Sequence, residues 1–200
     1  MDSPLINYQG QAITQAATYR RARLGIRLCP EGRGVFADLS VEENLLLGLP
    51  LRRRRSKLGE EIERIYEILP ALRLRARQHA GSLSGGEQQM LSIGRALITG
   101  PTLLICDELS LGLAPKFIDD LYEVLVRANE SGVAILLIEQ NVHRALAITD
   151  QVYVLNRGLV TYAGLPQPLF DDEVLSQAYF STEAVTAPAV ASPPLRRSGW

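Results

Sequence analysis

Two stretches of the chain carry residue types that could handle a phosphoryl group. The first is Leu83-Ser84-Gly85-Gly86-Glu87-Gln88-Gln89, followed at helical spacing by Met90, Ile93, Ala96 and Leu97. Ser84 with Glu87 three residues on spells a capping box, in which each side chain satisfies a free backbone amide of a helix's first turn. A capping box does not call for two consecutive glycines, which are poor helix formers. Gly85 and Gly86 strip side chains from a helix N-terminus, where free N–H groups and the positive end of the helix dipole suit close approach of a phosphate. The second stretch is Leu103-Leu104-Ile105-Cys106-Asp107-Glu108, an apolar strand that ends in two adjacent carboxylates. One carboxylate could merely cap the next element. Two together, soon after a glycine-bearing helix and at the strand end where open α/β sheets bind ligands, point to metal and water. Asp107 would hold Mg²⁺, and Glu108 would orient or deprotonate an attacking water.

These residues need a frame. The runs Leu103–Cys106 and Val133–Ile138 lack polar alternation, the pattern of parallel strands covered on both faces. Between them Pro115 suits a first helical turn, and Phe117, Ile118, Leu121, Val124, Leu125 and Ala128 recur at helical spacing before Gly132. Strand, helix and strand of this length form a right-handed crossover, so the fold is read as α/β. Residues 41–80 show helical periods at Val41–Leu47 and Ile62–Leu69 with no strand candidate, and should form a helical subdomain. Gln151–Leu155 and Leu159–Ala163 flank the turn signal Asn156-Arg157-Gly158 and should pair as a closing hairpin.

Bulk composition excludes several classes. A chain of 200 residues, 46% apolar, suits one domain, placed at 1–182. Residues 183–200, rich in Ala, Pro and Ser, have little to bury and read as a disordered tail. With 21 basic against 22 acidic side chains and no basic-aromatic stripe, the chain is not expected to bind nucleic acid. The four-arginine run Arg52–Arg55 reads as a solvated loop. Cys29 and Cys106 sit among apolar residues without a second ligand at metal spacing and read as buried thiols. No apolar run reaches the roughly 18–20 residues of a membrane span, and no signal peptide pattern opens the chain.

Leu-Ser-Gly-Gly-Glu at 83–87 with Asp-Glu at 107–108 resembles the signature and Walker B motifs of ABC ATPases. Pro30-Glu31-Gly32-Arg33-Gly34-Val35-Phe36, Leu39-Ser40-Val41-Glu42-Glu43-Asn44-Leu45, Ser110–Pro115 and Ile138-Glu139-Gln140-Asn141 resemble the high-affinity branched-chain amino acid importers within that family. The resemblance covers about residues 10–180. It implies a P-loop NTPase-like core with a helical subdomain, and ATP and Mg²⁺ as cofactors. It also implies a second ABC ATPase subunit and integral-membrane permease subunits as partners, and a cytoplasmic place on the inner face of the cell membrane. Residue by residue, Glu31 falls at the Q-loop glutamine position. Ser84, Gly85, Gly86 and Glu87 would contact the γ-phosphate held by the opposite subunit, Asp107 would position Mg²⁺, and Glu108 would activate water. Gln140 stands where most of the family has the switch histidine, and His143 reads as a surface helix residue. Leu109 stands where a Pro usually follows Asp-Glu.

A P-loop needs Gly-x-x-x-x-Gly-Lys and then Ser or Thr. Neither Lys57 nor Lys116 lies in such a context, so the sequence reads as a cassette lacking its N-terminal strands and Walker A motif. The remaining sheet is then expected to expose apolar surface. Three readings stay open: an importer ATPase subunit impaired alone, a non-catalytic chain that donates its signature motif to a partner, and a truncated gene product. Related urea or amide importers share much of the pattern, so the solute stays open too.

Overall fold

The structure is a computed structural model that describes residues 5–49 and 58–183. Arg52–Arg55 and nearly all of the 183–200 segment lie outside the described residues. The chain divides after Ile138 into two compact units.

The first unit opens with the short antiparallel pair β1 (Asn7–Tyr8) and β2 (Gln11–Ala12), followed by α1 (Thr18–Arg23) and β3 (Ile26–Cys29). Helices α2 (Val41–Leu46), α3 (Leu58–Ile68) and α4 (Pro70–Arg73) lead through a 3₁₀ turn, Ala80–Ser82, to α5 (Gly85–Leu97). Then come β4 (Leu103–Asp107), α6 (Pro115–Glu130) and β5 (Ala134–Ile138). The three-stranded sheet runs in the order β3-β4-β5 and is wholly parallel. Leu103 pairs with Ala134 and Asp107 with Ile138, as the crossover reading of this segment requires. Pro115 opens α6, and Gly132, with φ +98°, follows its end.

The register sorts the sheet into two unlike faces, because successive side chains of a strand point to opposite sides. Cys29 lies opposite Cys106, and both are buried thiols outside any disulfide, beneath the helices and on the same face as the fully buried Leu104. On the other face Leu28, Ile105 and Leu136 form one row across the strands, and Leu28 and Leu136 are 57% and 49% exposed. That is open apolar sheet surface of the kind expected from the sequence.

Helix α5 connects the sheet to the helices of residues 41–73. On one side Ser92 Oγ lies 3.4 Å from Cys29 Sγ of β3. On another, a Cβ on Gly94 would sit 3.0–3.3 Å from side-chain atoms of Leu45, Leu69 and Ile65, so the absence of a side chain lets α2 and α3 press on the α5 backbone. Leu45, Ile65, Leu91, Ile93 and Leu97 are all buried here. Each stabilises the fold by about 1.5–3 kcal/mol relative to exposure, which fixes where the α5 N-terminus points.

The second unit holds α7 (Val142–Ile148), the antiparallel β6 (Val152–Asn156) and β7 (Leu159–Gly164), a 3₁₀ turn, and α8 (Asp172–Phe180). The hairpin turn has Arg157 and Gly158 both at positive φ, the geometry of a two-residue turn that matches strand twist. Leu146, Val154, Leu169 and Ala178 make its own small core.

Candidate functional site

The carboxylate pair sits at the C-terminal end of the central strand. Asp107 ends β4 opposite Ile138, and the Glu108 N–H donates to the Ile138 carbonyl at 2.9 Å. Glu108 itself has φ +47°, in the left-handed region. That conformation costs an L-residue roughly 1–2 kcal/mol, and such strain is often stored at working sites. Leu109, next in the chain, is only 2% exposed. Burial of this leucine is the structural counterpart of the unusual residue at that position, and the left-handed turn before it leaves Glu108 facing a cavity.

That cavity, about 250 Å³, is lined by Glu31, Gly32, Arg33, Gln89, Glu108 and Leu111. Glu31 reaches it from the loop after β3, in which Gly32, Arg33 and Gly34 all have positive φ. Three tethers hold that loop. Arg33 Nη1 donates to Gln88 Oε1 at 3.3 Å, Arg95 Nη2 donates to the Gly34 carbonyl at 2.6 Å, and the Phe36 N–H donates to Asn44 Oδ1 at 2.9 Å. Asn44, fully buried, also donates through Nδ2 to the carbonyls of Phe36, Leu39 and Ser40.

At the start of α5 the capping box is formed: Glu87 N–H donates to Ser84 Oγ, and the Ser84 N–H donates to Glu87 Oε2 at 2.8 Å. The box takes up two amides of the helix start and leaves those of Gly85 and Gly86 without a side-chain acceptor from it. Glu87 also pairs with Arg75 at 2.7 Å. Burial alone would raise the Glu87 carboxyl pKa, but the Ser84 hydrogen bonds and Arg75 outweigh it and hold the group below the usual carboxylate range.

The two glycines have neighbours within the chain. A Cβ on Gly85 would lie 2.6 Å from the Arg33 guanidinium, and one on Gly86 would lie 2.3 Å from the Phe117 ring. Internal packing therefore accounts for the missing side chain at Gly86, a reason the sequence alone did not disclose, whereas the neighbour of Gly85 is the movable end of an arginine.

Glu31 and Glu108 thus share one cavity, while Asp107 and Ser84–Glu87 are placed by β4 and α5 of the same unit. Gln140 belongs to the second unit, two residues beyond β5, and is exposed. His143 lies exposed on α7, with Nε2 3.9 Å from Asp172 Oδ1. Sequence reasoning left Gln89, Arg33 and Asn44 without roles. Gln89 carried a signal, since it falls in the apolar stripe of α5, four residues before Ile93 and eight before Leu97. Ser40 with Glu43 is a second capping box, legible by the same rule as Ser84 with Glu87.

The parallel sheet ends its central strand in an Asp-Glu pair, and the same unit carries a glycine-headed helix. The chain belongs to the ABC transporter family, whose pattern matches residues 2–110. It is 38% identical over 174 residues to the high-affinity branched-chain amino acid transport ATP-binding protein BraG of Pseudomonas aeruginosa, covering 87% of this chain and 74% of that one. It is 36% identical over 165 residues to the probable branched-chain amino acid transport ATP-binding protein LivF of Archaeoglobus fulgidus, covering 82% and 70%. The lipopolysaccharide export ATP-binding protein LptB of Escherichia coli is 30% identical over 167 residues, covering 82% and 69%. Among solved structures, the ADP conformation of MJ1267, an ATP-binding cassette of an ABC transporter, superposes with TM-score 0.74 at 26% identity, over 88% of this chain and 76% of that one.

Proposed function

We propose that this chain is the ATP-binding subunit of an ABC importer and energises uptake of branched-chain amino acids. The observation that carries the chemistry is Glu108, held in a left-handed conformation at the end of β4 and facing the cavity it shares with Glu31. The branched-chain relatives support the solute, and the resemblance to lipopolysaccharide exporters makes that solute the part most open to test.

The residues fit Mg²⁺ and a nucleotide's terminal phosphate. Mg²⁺ is usually held by one or two carboxylates together with phosphate oxygens and waters, and Asp107 is a carboxylate of that kind. When bound, the ion would supply positive charge against the phosphoryl oxygens. Asp107 would hold it, Glu108 would take the proton of the attacking water, and Glu31 would report the state of the site to the loop it begins. Ser84, Gly85, Gly86 and Glu87 would face the phosphate of a second ATPase subunit, with the two glycine amides as donors. Gln140 would stand at the switch position. Among the described residues there is no phosphate-cradling Gly-x-x-x-x-Gly-Lys loop, so this set supplies the metal, water and signature contributions.

A groove of about 400 Å³ lined in part by Leu28, Phe36, Leu47, Arg27 and Arg95 offers a face for a permease subunit. Leu28, Phe36 and Leu47 are exposed there. Arg95 stacks on Phe36 at 5.3 Å and leaves a buried Nη1 without an acceptor. Apolar side chains around the Arg95 guanidinium suit an amphipathic segment bearing a carboxylate. No helix among the described residues is long and apolar enough to cross a membrane, so in this reading the permease provides the membrane passage.

The test is ATP-dependent leucine uptake by proteoliposomes carrying the assembled transporter. Glu108→Gln should lower it by about 10²–10⁴-fold, the usual contribution of a general base. Unchanged uptake would remove Glu108 from the chemistry, and ATP turnover without stimulation by any branched-chain amino acid would remove the solute.

A further inference from the structure

Gln89 is 3% exposed, lines the cavity shared by Glu31 and Glu108, and has a buried Nε2 with no hydrogen-bond partner in the protein. An unsatisfied buried donor costs about 1–3 kcal/mol. Native proteins avoid that cost by pairing such groups, with an ordered water where no protein acceptor is within reach. The cavity, at about 250 Å³, has room for water, each molecule needing roughly 30 Å³ of liquid volume.

The lining determines what such a water can bond. Arg33 offers only donors, already directs one to Gln88, and lies against Gly85. The Leu111 side chain offers nothing polar. Among the side chains of the lining, a water that accepts from Gln89 Nε2–H can donate its own hydrogen bond only to the carboxylates of Glu31 and Glu108. Glu31 is exposed on a loop, whereas Glu108 is partly buried and its backbone is fixed by the hydrogen bond to Ile138. The fixed group is the better acceptor, because little further ordering is needed to use it.

We propose that Gln89 is a positioning residue: its side-chain amide, through a water held in this cavity, orients the Glu108 carboxylate and ties helix α5 to the end of β4. The proposal rests on the reading of Glu108 as the group that activates water, and it gives that reading a second support from a different element. The bridge also links the two halves of the site. A shift of α5, whose N-terminus carries Gly85 and Gly86, would then be felt at Glu108 without any contact between them.

The experiment uses the full chain labelled with ¹⁵N and ¹³C, with the Gln89 side-chain amide identified by through-bond correlations. In the wild type that amide should show cross-relaxation with a water that outlives molecular tumbling. Glu108→Gln should shift the Gln89 amide protons, and Glu31→Gln should leave them in place. Absence of a long-lived water, or a response to Glu31→Gln in place of Glu108→Gln, overturns the proposal, and neither arm depends on a Gln89 variant that folds. In the assembled transporter Gln89→Met, which keeps the volume and removes the donor, should lower kcat by about 10-fold at unchanged KM. If Glu108→Gln abolishes turnover while Gln89→Met is silent, the positioning role fails and the function stands. If Glu108→Gln is itself silent, the function fails whatever the water does.

Discussion

Phe117, at the first turn of α6, occupies the space that a side chain on Gly86 would need: a Cβ there would lie 2.3 Å from the ring. The first turns of α5 and α6 are therefore locked face to face, and α6 is the crossover between β4 and β5. The glycine pair thus has a packing function as well as the two amides it offers.

Gly86→Ala should destabilise the chain by about 1–3 kcal/mol, the usual cost of overpacking, even though Ala gains about 1 kcal/mol in helix propensity over Gly. Phe117→Leu should relieve part of that loss, so a double-mutant cycle in urea should show coupling. Additive effects would mean that the contact with Phe117 is not what excludes a side chain. Gly85→Ala should cost less, because its neighbour is the end of a flexible arginine, Arg33.

Glu87 links stability to pH. Its folded-state pKa is depressed, so its contribution is present above the unfolded value of about 4.3 and is lost as pH falls through the folded value. Glu87→Gln should be less stable than wild type at neutral pH, and the difference should shrink as pH is lowered below about 4.3. Urea midpoints across that range measure it. A difference that stays constant to low pH would show that the ion pair with Arg75 and the capping bonds to Ser84 do not favour the charged form.

Much of this frame was legible in the residues. The Leu103–Cys106 and Val133–Ile138 runs carried no polar alternation, and both are parallel strands; Ser84 and Glu87 obeyed a local rule that needs only four residues. Side-chain neighbours far apart in sequence were not legible. Nothing local couples Gly86 to Phe117 or Gly85 to Arg33, and Leu109 could be read as a departure from habit until its burial was seen. Gln89 is the intermediate case. Its place in the apolar stripe of α5 marked it as buried, but the cavity it faces is assembled from three separate segments.

The thiols report on the closed face of the sheet. Burial pushes the Cys29 pKa up, and the Ser92 hydroxyl and the Arg95 charge only partly oppose that. Cys29 should therefore react with a disulfide reagent at pH 8 at least about an order of magnitude more slowly in the folded chain than in urea, because the thiolate is the reactive form, and Cys106, with no exposed surface, should be shielded as well. Rapid labelling of either residue in the native chain would contradict the packing of α5 over β3 and β4.

Glu108 brings strain and chemistry together at one residue, and the two can be separated by substitution. At an ordinary position Ala is more stable than Gly by roughly 0.5–1 kcal/mol, because Gly loses more backbone freedom on folding. At φ +47° the order should invert, since only Ala and larger residues incur the left-handed penalty of roughly 1–2 kcal/mol. Glu108→Gly should therefore be more stable than Glu108→Ala by about 0.5–1 kcal/mol in urea denaturation. Both variants should lose turnover by about 10²–10⁴-fold in the assembled transporter, because both remove the carboxylate. Glu108→Gln should share that loss while keeping the strain, and so should not gain the stability of the glycine variant. Asp107→Asn should differ again, lowering Mg-nucleotide affinity before chemistry begins. If Glu108→Ala proves the more stable of the Ala and Gly pair, the left-handed conformation stores no strain, and the case for a conformationally imposed carboxylate at the end of β4 fails.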